Sequence, residues 1–248
     1  IQDSLVGSEM CIRDRYVAVG SGGVWKTKNA GTTWMPLTDN MPFYSTGSVT
    51  IDPNDSSRIW VGTGENVAGR HVGIGHGIYL SKDSGSTWDN MGLKKSEHIS
   101  KIIVHPDNSD IIWVASQGPL WNSGGDRGLF MSNDGGNTWS NKLYVNEWTG
   151  VTDIIIDPTN PDILYAATWQ RHRNVASLID GGPGTSIYKS TDGGNVWVEI
   201  DSGLPSSNMG KIGLAISPIK PEVIYAAIEL DRSCLLYTSD AADDVRSV

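Results

Sequence analysis

The eight residues SNDGGNTW, at 132–139, decide the fold. The pattern returns as SKDSGSTW at 81–88 and as STDGGNVW at 190–197, and a weaker copy, TKNAGTTW, stands at 27–34. The tryptophans that close these copies are about 50 to 60 residues apart. A fixed period of this length is typical of repeat architectures, in which each copy belongs to one structural unit.

A second motif has the same period. A proline follows a hydrophobic run in each repeat, and the copies read IDPN, VHPD, IDPT and ISPI at 51–54, 104–107, 156–159 and 216–219. After each proline comes a second hydrophobic run with an aromatic residue at its centre, and turn residues separate the runs. Each repeat therefore predicts four strands. Strand A precedes the proline, B holds the aromatic residue, C ends at the eight-residue motif and D begins at its tryptophan.

Four antiparallel strands in about 50 residues, repeated along the chain, predict the blades of a β-propeller, an all-β fold. The predicted blades are a partial one at 16–44, complete ones at 45–98, 99–150 and 151–208, and the start of another at 209–232. Because a propeller closes by returning to its first blade, we expect an open arc whose exposed edges pack against the remaining blades of a parent chain.

Composition agrees with many short strands and excludes two classes of partner. The 248 residues include 29 Gly and 10 Trp but only 2 Phe, and the formal net charge is −9. Since no run of about 18 apolar residues occurs, the sequence predicts no membrane span in this segment. Acidic charge without basic clusters predicts no nucleic-acid partner.

The two ends are predicted to be foreign to the gene. Residues 1–15 and 233–248 resemble translated sequencing adapter, because codons for 10–14 can be written as the reverse complement of codons for 234–239. Both cysteines, Cys11 and Cys234, lie in these ends. The remaining segment, 16–232, is the predicted propeller and offers no disulfide.

The eight-residue motif is the Asp box, S-x-D-x-G-x-T-W. Its Asp is expected to accept hydrogen bonds from turn amides, its Gly to adopt positive φ and its Trp to pack between blades. In the weak copy Asn29 and Ala30 replace the expected Asp and Gly, so we expect a looser turn there. His105 takes the turn position that Asp fills in other repeats, and we expect a structural role for it. The structural Asp-box residues are Asp83, Gly85, Trp88, Asp134, Gly136, Trp139, Asp192, Gly194 and Trp197.

These motifs resemble the sortilin-like propellers and related Asp-box (BNR repeat) proteins, which include sialidases and xyloglucanases. The resemblance covers essentially all of 16–232, and connecting segments such as 118–128 are similar to those of large secreted bacterial proteins with sortilin-type N-terminal domains. The resemblance implies an extracytoplasmic location and a binding role for the parent protein. A glycan hydrolase of the Asp-box type is the alternative, and a structural spacer is a third possibility.

The B–C loops, at 64–77, 116–127 and 168–186, are expected to lie at the end of the propeller opposite the Asp boxes. We call this end the loop face. Loops on a rigid scaffold commonly carry function. We predict a peptide or glycan ligand here, acidic because the arginines stand out in an acidic chain. The predicted ligand-binding residues are Trp121, Arg127, Trp169, Arg171 and Arg173. The alternative for these rings, and for Trp148, is to plug the propeller channel.

The sequence predicts no catalytic residue, metal or cofactor. A glycosidase needs two carboxylates roughly 5–9.5 Å apart, and the acids of the loop face are scattered along the chain. His71 and His76 lack a recognised metal-ligand spacing. The glycines at 62–64 lack the Lys-Ser/Thr of a phosphate loop. The loop-face acids are Glu65, Glu97, Asp126, Glu147 and Asp180.

Overall fold

A computed structural model describes residues 14–230, 234–240 and 244–247. These residues form strands and turns, and the strands are grouped in five antiparallel sheets. The described part of the chain contains no helix that is long and apolar enough to cross a membrane. The all-β prediction is therefore confirmed.

The sheets follow one another along the chain. The first contains β1 (Arg15–Val19), β2 (Gly23–Thr27) and β3 (Met35–Pro36), and the second β4 (Thr46–Ile51), β5 (Ile59–Thr63), β6 (Ile78–Ser81) and β7 (Asp89–Asn90). The third contains β8 (Ile99–His105), β9 (Asn108–Ser116), β10 (Gly128–Ser132) and β11 (Ser140–Leu143). The fourth contains β12 (Thr149–Ile156), β13 (Leu164–Arg173), β14 (Leu178–Asp180), β15 (Ile187–Ser190) and β16 (Val198–Ile200). The fifth contains β17 (Met209–Ile216), β18 (Val223–Leu230), β19 (Cys234–Asp240) and β20 (Asp244–Ser247).

Each complete sheet is an up-and-down meander of strands A to D. In the second sheet β4 pairs with β5, β5 with β6 and β6 with β7, and the third sheet repeats this order. The fourth sheet has one addition, because β13 runs on to Arg173 and pairs with β14 to form a hairpin beyond the sheet. The Asp boxes lie between strands C and D, and the B–C loops lie at the other end of each sheet.

The hydrophobic core lies between successive sheets. Among the described residues, one cluster joins Trp60 of the second sheet to Ile102 and Val114 of the third. Further clusters join the first sheet to the second, the third to the fourth and the fourth to the fifth. Both faces of an inner sheet are thus covered, which explains why β5, β6 and β10 are buried along their whole length. Burying one large apolar side chain contributes about 1.5–3 kcal/mol.

The A strands of neighbouring sheets contact one another. The Thr50 hydroxyl donates to the Ile102 carbonyl at 2.9 Å, and the Ser100 hydroxyl donates to the Val151 carbonyl at 3.0 Å. The Leu214 amide donates to Asp153 Oδ2 at 2.8 Å. Strand A is therefore the inner strand of each sheet, as in the blades of a propeller.

The fifth sheet contains four strands where we predicted only the start of a blade. Its β19 and β20 are formed by residues that the codon match assigns to adapter. An exposed strand edge can pair with a β-forming segment of any origin, so the foreign origin of 233–248 stays a prediction. Residues 1–13 lie outside the described part of the chain.

Candidate functional site

The Asp-box turns are held by their aspartates in the expected way. Asp83 Oδ1 accepts hydrogen bonds from the amides of Ser86 and Thr87 at 2.9 and 2.8 Å, and Oδ2 accepts one from the Thr87 hydroxyl at 2.7 Å. These bonds lower the pKa of Asp83 to about 2. Asp134 accepts hydrogen bonds from the amide and the hydroxyl of Thr138 at 2.9 and 2.6 Å, and its pKa is also lowered to about 2, chiefly by that hydroxyl. The carboxylates are occupied by the turns that they stabilise.

The weak first copy forms the same turn. The Asn29 side-chain oxygen accepts a hydrogen bond from the Thr33 amide at 2.9 Å, so an amide replaces the carboxylate. Ala30 has a φ of 58°, and Ser84 at the same position of the second copy has a φ of 60°. These contacts show no loosening of the first turn. The position of Ala30 accepts a side chain at positive φ, as Ser84 does in the second copy.

The boxes also join neighbouring blades. Trp139 of the third sheet packs edge-on against Trp60 of the second at 6.4 Å between ring centroids, and its indole donates to the Met91 carbonyl at 2.7 Å. The Trp113 indole of the third sheet donates to the Gly193 carbonyl in the box of the fourth at 3.2 Å. We call the end of the arc that carries the Asp boxes the turn face. Its contacts therefore link neighbouring blades to one another.

At the loop face, Arg127 is buried, and every nitrogen of its guanidinium donates to a backbone carbonyl. Only 1% of its surface is exposed, and its guanidinium donates to the carbonyls of Gln117 at 2.7 Å and Trp148 at 3.2 Å. It also donates to the carbonyls of Pro119, Asn122 and Gly124, which ties the B–C loop of the third sheet together. Burial lowers its pKa to about 10. This geometry makes Arg127 a positioning residue and leaves it no surface for a ligand.

Arg171 and Trp169 are buried side by side in β13. Arg171 is 0% and Trp169 2% exposed, and the guanidinium carbon lies 5.1 Å from the centroid of the indole ring. Burial, with the charge of Arg127, lowers the pKa of Arg171 to about 9. Its Nη1 donates to the Val67 carbonyl, but Nε and Nη2 have no hydrogen-bond partner among the described residues.

A loop from the second sheet covers these residues. Residues 65–73, which we call the strap, are closed by paired bonds between Glu65 and Gly73: the Glu65 amide donates to the Gly73 carbonyl at 3.0 Å. The Gly73 amide donates to Glu65 Oε2 at 2.8 Å. Lys211 Nζ donates to the Asn66 carbonyl of the strap at 2.6 Å, and Arg173 Nε donates to the Ala68 carbonyl at 3.1 Å. We call Arg171, Arg173 and Lys211 the cation patch.

The exposed aromatic surface lies beside this patch. Trp121 is 39% exposed, and Trp148 and His172 are half-buried, with their ring centroids 4.0 Å apart and their ring planes tilted by 37°. Backbone bonds bring them together, since the Arg171 amide donates to the Trp148 carbonyl and the Arg173 amide to the Leu120 carbonyl. The structure thus separates the predicted site into an exposed aromatic part and a covered cationic part.

Two loop-face acids are occupied by structural contacts. Glu65 closes the strap and also accepts a hydrogen bond from the Ser21 hydroxyl at 2.9 Å. Asp126 Oδ2 accepts one from the Lys95 amide at 2.9 Å. The described residues contain no group of three or more His, Cys, Asp or Glu side chains that could hold a metal ion.

Asp180 and Glu229 line a groove of about 420 Å³ between the β13–β14 hairpin and the fifth sheet. Gly210 separates them: a Cβ built on Gly210 would lie 2.8 Å from the Asp180 carbonyl oxygen and 3.2 Å from Glu229 Cβ. Burial, with the charge of Glu229, raises the pKa of Asp180. Both residues therefore line one groove, with Gly210 packed between the backbone of Asp180 and the side chain of Glu229.

Sequence reasoning missed Glu229, Lys211 and the strap. Glu229 stands four residues after the strand B aromatic Tyr225, as Gln117 and Trp169 do after theirs. Alignment of the repeats on that aromatic residue would have marked this position as a loop-face position. The strap contacts join residues about a hundred positions apart, for which a single sequence carries no signal.

Comparison with known protein families matches residues 22–143 to Sortilin-Vps10, described as sortilin, neurotensin receptor 3. The match covers just under half of the chain, so the chain resembles this propeller family. Among solved structures, an ancestral GH74 enzyme superposes with a TM-score of 0.72 at 22% identity, covering 95% of this chain and 29% of that one. At this identity the likeness shows the fold alone, and it confirms the predicted propeller arc.

The curated relatives are xyloglucanases. An oligoxyloglucan-reducing end-specific xyloglucanase of Emericella nidulans is 25% identical over 199 residues, which are 73% of this chain and 22% of that protein. A xyloglucanase of Acetivibrio thermocellus is 26% identical over 207 residues, which are 73% of this chain and 23% of that protein. The chain spans about a fifth of the length of the curated relatives that it matches.

Proposed function

We propose that this chain is one arc of a larger glycan-acting propeller, a glycoside hydrolase of the Asp-box type. The chain is similar to xyloglucanases over about three-quarters of its length. This similarity favours hydrolysis, the alternative in the sequence analysis, over a purely binding role. An extracytoplasmic location remains our expectation and rests on the resemblance to secreted propellers.

The groove between the fourth and fifth sheets carries the proposal. Glycoside hydrolysis needs one carboxyl group that keeps its proton and a second carboxylate on the other side of the bond. Asp180 has a raised pKa, as a general acid requires, and Glu229 faces the same groove. Asp180 is the proposed acid and Glu229 the proposed base or nucleophile.

The aromatic surface supports a glycan as the ligand. Trp121 and the Trp148–His172 pair offer flat aromatic rings on the loop face, and sugar rings stack on such surfaces. Trp169, Arg171 and Arg173 remain proposed ligand residues beneath the strap. Arg127 holds the loop that carries Trp121 in place, because it donates hydrogen bonds to the Pro119 and Asn122 carbonyls of that loop.

Hydrolysis of xyloglucan by the complete parent protein, followed as new reducing ends, tests this function. Replacing Asp180 by Asn or Glu229 by Gln should lower the rate by about 10²–10⁴-fold, the usual contribution of an acid–base group. Glu222→Gln, an exposed acid at the opposite end of the fifth sheet, is the matched control and should keep the wild-type rate. Full activity in both groove variants would rule out this carboxylate pair.

A binding propeller without hydrolysis is the second candidate. It is favoured by the match to the sortilin family and by the structural use of Glu65 and Asp126. Binding of xyloglucan oligosaccharides without release of reducing ends, by a parent protein with all its blades, would select this candidate.

A further inference from the structure

Three consecutive carbonyls of the strap meet the three cations of the cation patch. The Asn66 carbonyl accepts from Lys211 Nζ at 2.6 Å, the Val67 carbonyl from Arg171 Nη1, and the Ala68 carbonyl from Arg173 Nε at 3.1 Å. A carbonyl carries only part of a unit negative charge. The strap therefore solvates the cation patch without neutralising it.

The patch has no ion-pair partner within the described part of the chain, although the charge of Asp180, which lies opposite Arg171 in β14, acts on all three cations. None of the ion pairs within that part of the chain involves Arg171, Arg173 or Lys211. Lys211 Nζ also lies 5.4 Å from the Trp169 ring on which Arg171 is placed, so two cations share one buried ring. A buried charge without a close ion-pair partner is costly, and a bound anion would lower that cost.

The unpartnered atoms of Arg171 indicate which kind of anion would fit the patch. Its Nε and Nη2 have no acceptor in the described structure although the side chain is 0% exposed. These two nitrogens form the edge of the guanidinium that binds a carboxylate through two parallel hydrogen bonds. The Trp169 indole nitrogen beside them also lacks a partner among the described residues.

The strap has the features of a replaceable cover. Its contacts with the patch use backbone carbonyls, it contains Gly69, and its Val67 side chain is 49% exposed. A charged acceptor makes hydrogen bonds roughly twice as strong as a neutral carbonyl does. A carboxylate that reaches the patch should therefore displace the strap.

We propose that the cation patch is a binding site for the carboxylate of an acidic glycan, a uronic-acid oligosaccharide, which displaces the strap from Arg171. This proposal rests on the proposed glycan function. The Trp148–His172 pair and Trp121 flank the same strand, so they would stack on the sugar rings next to the bound carboxylate. A uronic acid then supplies both a carboxylate for the unpartnered edge of Arg171 and the ring that the aromatic surface fits.

Calorimetric titration of the complete parent protein with a tri-uronate tests the site. Arg173→Gln and Lys211→Gln should each weaken binding about tenfold through loss of a charge-assisted contact, and both avoid the fully buried Arg171. Lys82→Gln removes the same charge on the exposed turn face and is the matched control. The methyl ester of the tri-uronate keeps the sugar but not the charge, so it should bind at least about tenfold more weakly.

A strap variant tests displacement separately. Replacing residues 66–70 by two glycines removes the three carbonyls, so the tri-uronate should bind more tightly than to the wild type. Weaker binding to this variant would show that the strap belongs to the site, and displacement would be wrong.

Other outcomes would overturn the choice of ligand. Equal binding of the methyl ester would exclude a carboxylate site, and tighter binding of a tri-glutamate peptide would make the patch a peptide site. Hydrolysis of neutral xyloglucan without any tri-uronate binding would overturn this inference and leave the proposed function intact. Charge-dependent tri-uronate binding without xyloglucan hydrolysis would support the site and overturn the hydrolase.

Discussion

The two glycine positions of an Asp box have different physical requirements. Gly193 and Gly194 both have positive φ, at 71° and 86°. A Cβ on Gly194 would lie 2.6 Å from the Trp113 indole nitrogen, whereas one on Gly193 would meet nothing closer than 3.5 Å. Ser84 occupies the position of Gly193 in the second sheet. Only the second position requires glycine for two reasons, its positive φ and the lack of space for a Cβ beside Trp113.

Gly194→Ala should therefore destabilise the fold far more than Gly193→Ala. The first change adds overpacking against Trp113 to the strain of positive φ, so we expect a loss of about 2–4 kcal/mol in the free energy of unfolding. The second change adds backbone strain alone, about 1 kcal/mol. Equilibrium urea unfolding of the two variants measures both values. Equal losses would contradict the close packing of Gly194 against Trp113 of the neighbouring blade.

The aspartates of the boxes make stability depend on acid pH. The folded pKa of Asp134 is about 2, below its ordinary value of 3.8. Its ionised form is thus favoured in the fold, and its contribution is complete above pH 3.8 and lost as the pH falls towards 2. Asp134→Asn should lower the melting temperature at pH 7, and the difference from the wild type should shrink between about pH 4 and pH 2.

Thermal melts across this pH range check that expectation, with the exposed Asp201→Asn as control. A difference that persists unchanged at pH 2 would mean that the charge of Asp134 is not what stabilises the turn.

The turn contacts of a residue could be predicted from the sequence better than its burial could. The Asp-box contacts follow from a local pattern of eight residues, and His105 accepts a hydrogen bond from the Asp107 amide as its turn position predicted. Arg127 and Arg171 were predicted to face a ligand, yet both are buried. Their burial depends on loops from other blades, which a pattern within one repeat does not contain.

At the scale of elements, Arg127 acts as the core of a loop that has few apolar side chains. It gathers the carbonyls of Gln117, Pro119, Asn122 and Gly124 around one guanidinium. The guanidinium of Arg127 therefore orders this loop through hydrogen bonds to its carbonyls. In a strand, backbone hydrogen bonds to the neighbouring strand have this role.

Arg127→Lys should loosen this loop although it keeps the charge. A lysine cannot supply the fork, so several buried carbonyls lose their donors and the free energy of unfolding should fall by about 3 kcal/mol or more. Hydrogen exchange should accelerate at the amides of 117–127. Arg70→Lys, an exposed arginine with one carbonyl contact, is the control and should change stability by less than about 0.5 kcal/mol. Unchanged exchange in the loop would remove the positioning role of Arg127.

The strands of each blade were predictable because period and alternation are local signals. The extension of β13 to Arg173 and its pairing with β14 were not predicted, since the interruption by Gly and Pro at 181–184 marked the whole segment as a loop. The hairpin forms because Arg171, His172 and Arg173 find partners in β14 and in neighbouring loops.

At the scale of the whole molecule, the end sheets each leave one face uncovered within the described part of the chain. Val17 and Val19 in β1 are 42% and 41% exposed, and β18 alternates between buried Ala226 and exposed Tyr225. Inner strands such as β5 show no such alternation. The uncovered faces are where the remaining blades of a closed ring would pack.

The isolated chain should therefore associate through these faces. Sedimentation velocity should show the average mass rising with protein concentration, and Tyr225→Lys should shift this rise to higher concentration. Ile219→Lys, which removes a more exposed apolar residue from a turn, is the control and should have no effect. A monomer at every concentration would contradict an open arc.

Ligands are expected to bind at the loop face, whereas the Asp boxes hold the blades together. Hydrogen–deuterium exchange of the complete parent protein, with and without a saturating xyloglucan oligosaccharide, tests this expectation most directly. We predict slower exchange on binding in 116–127 and 168–186, with no change in the boxes at 81–88, 132–139 and 190–197. Protection confined to the boxes, with none in the B–C loops, would contradict the account.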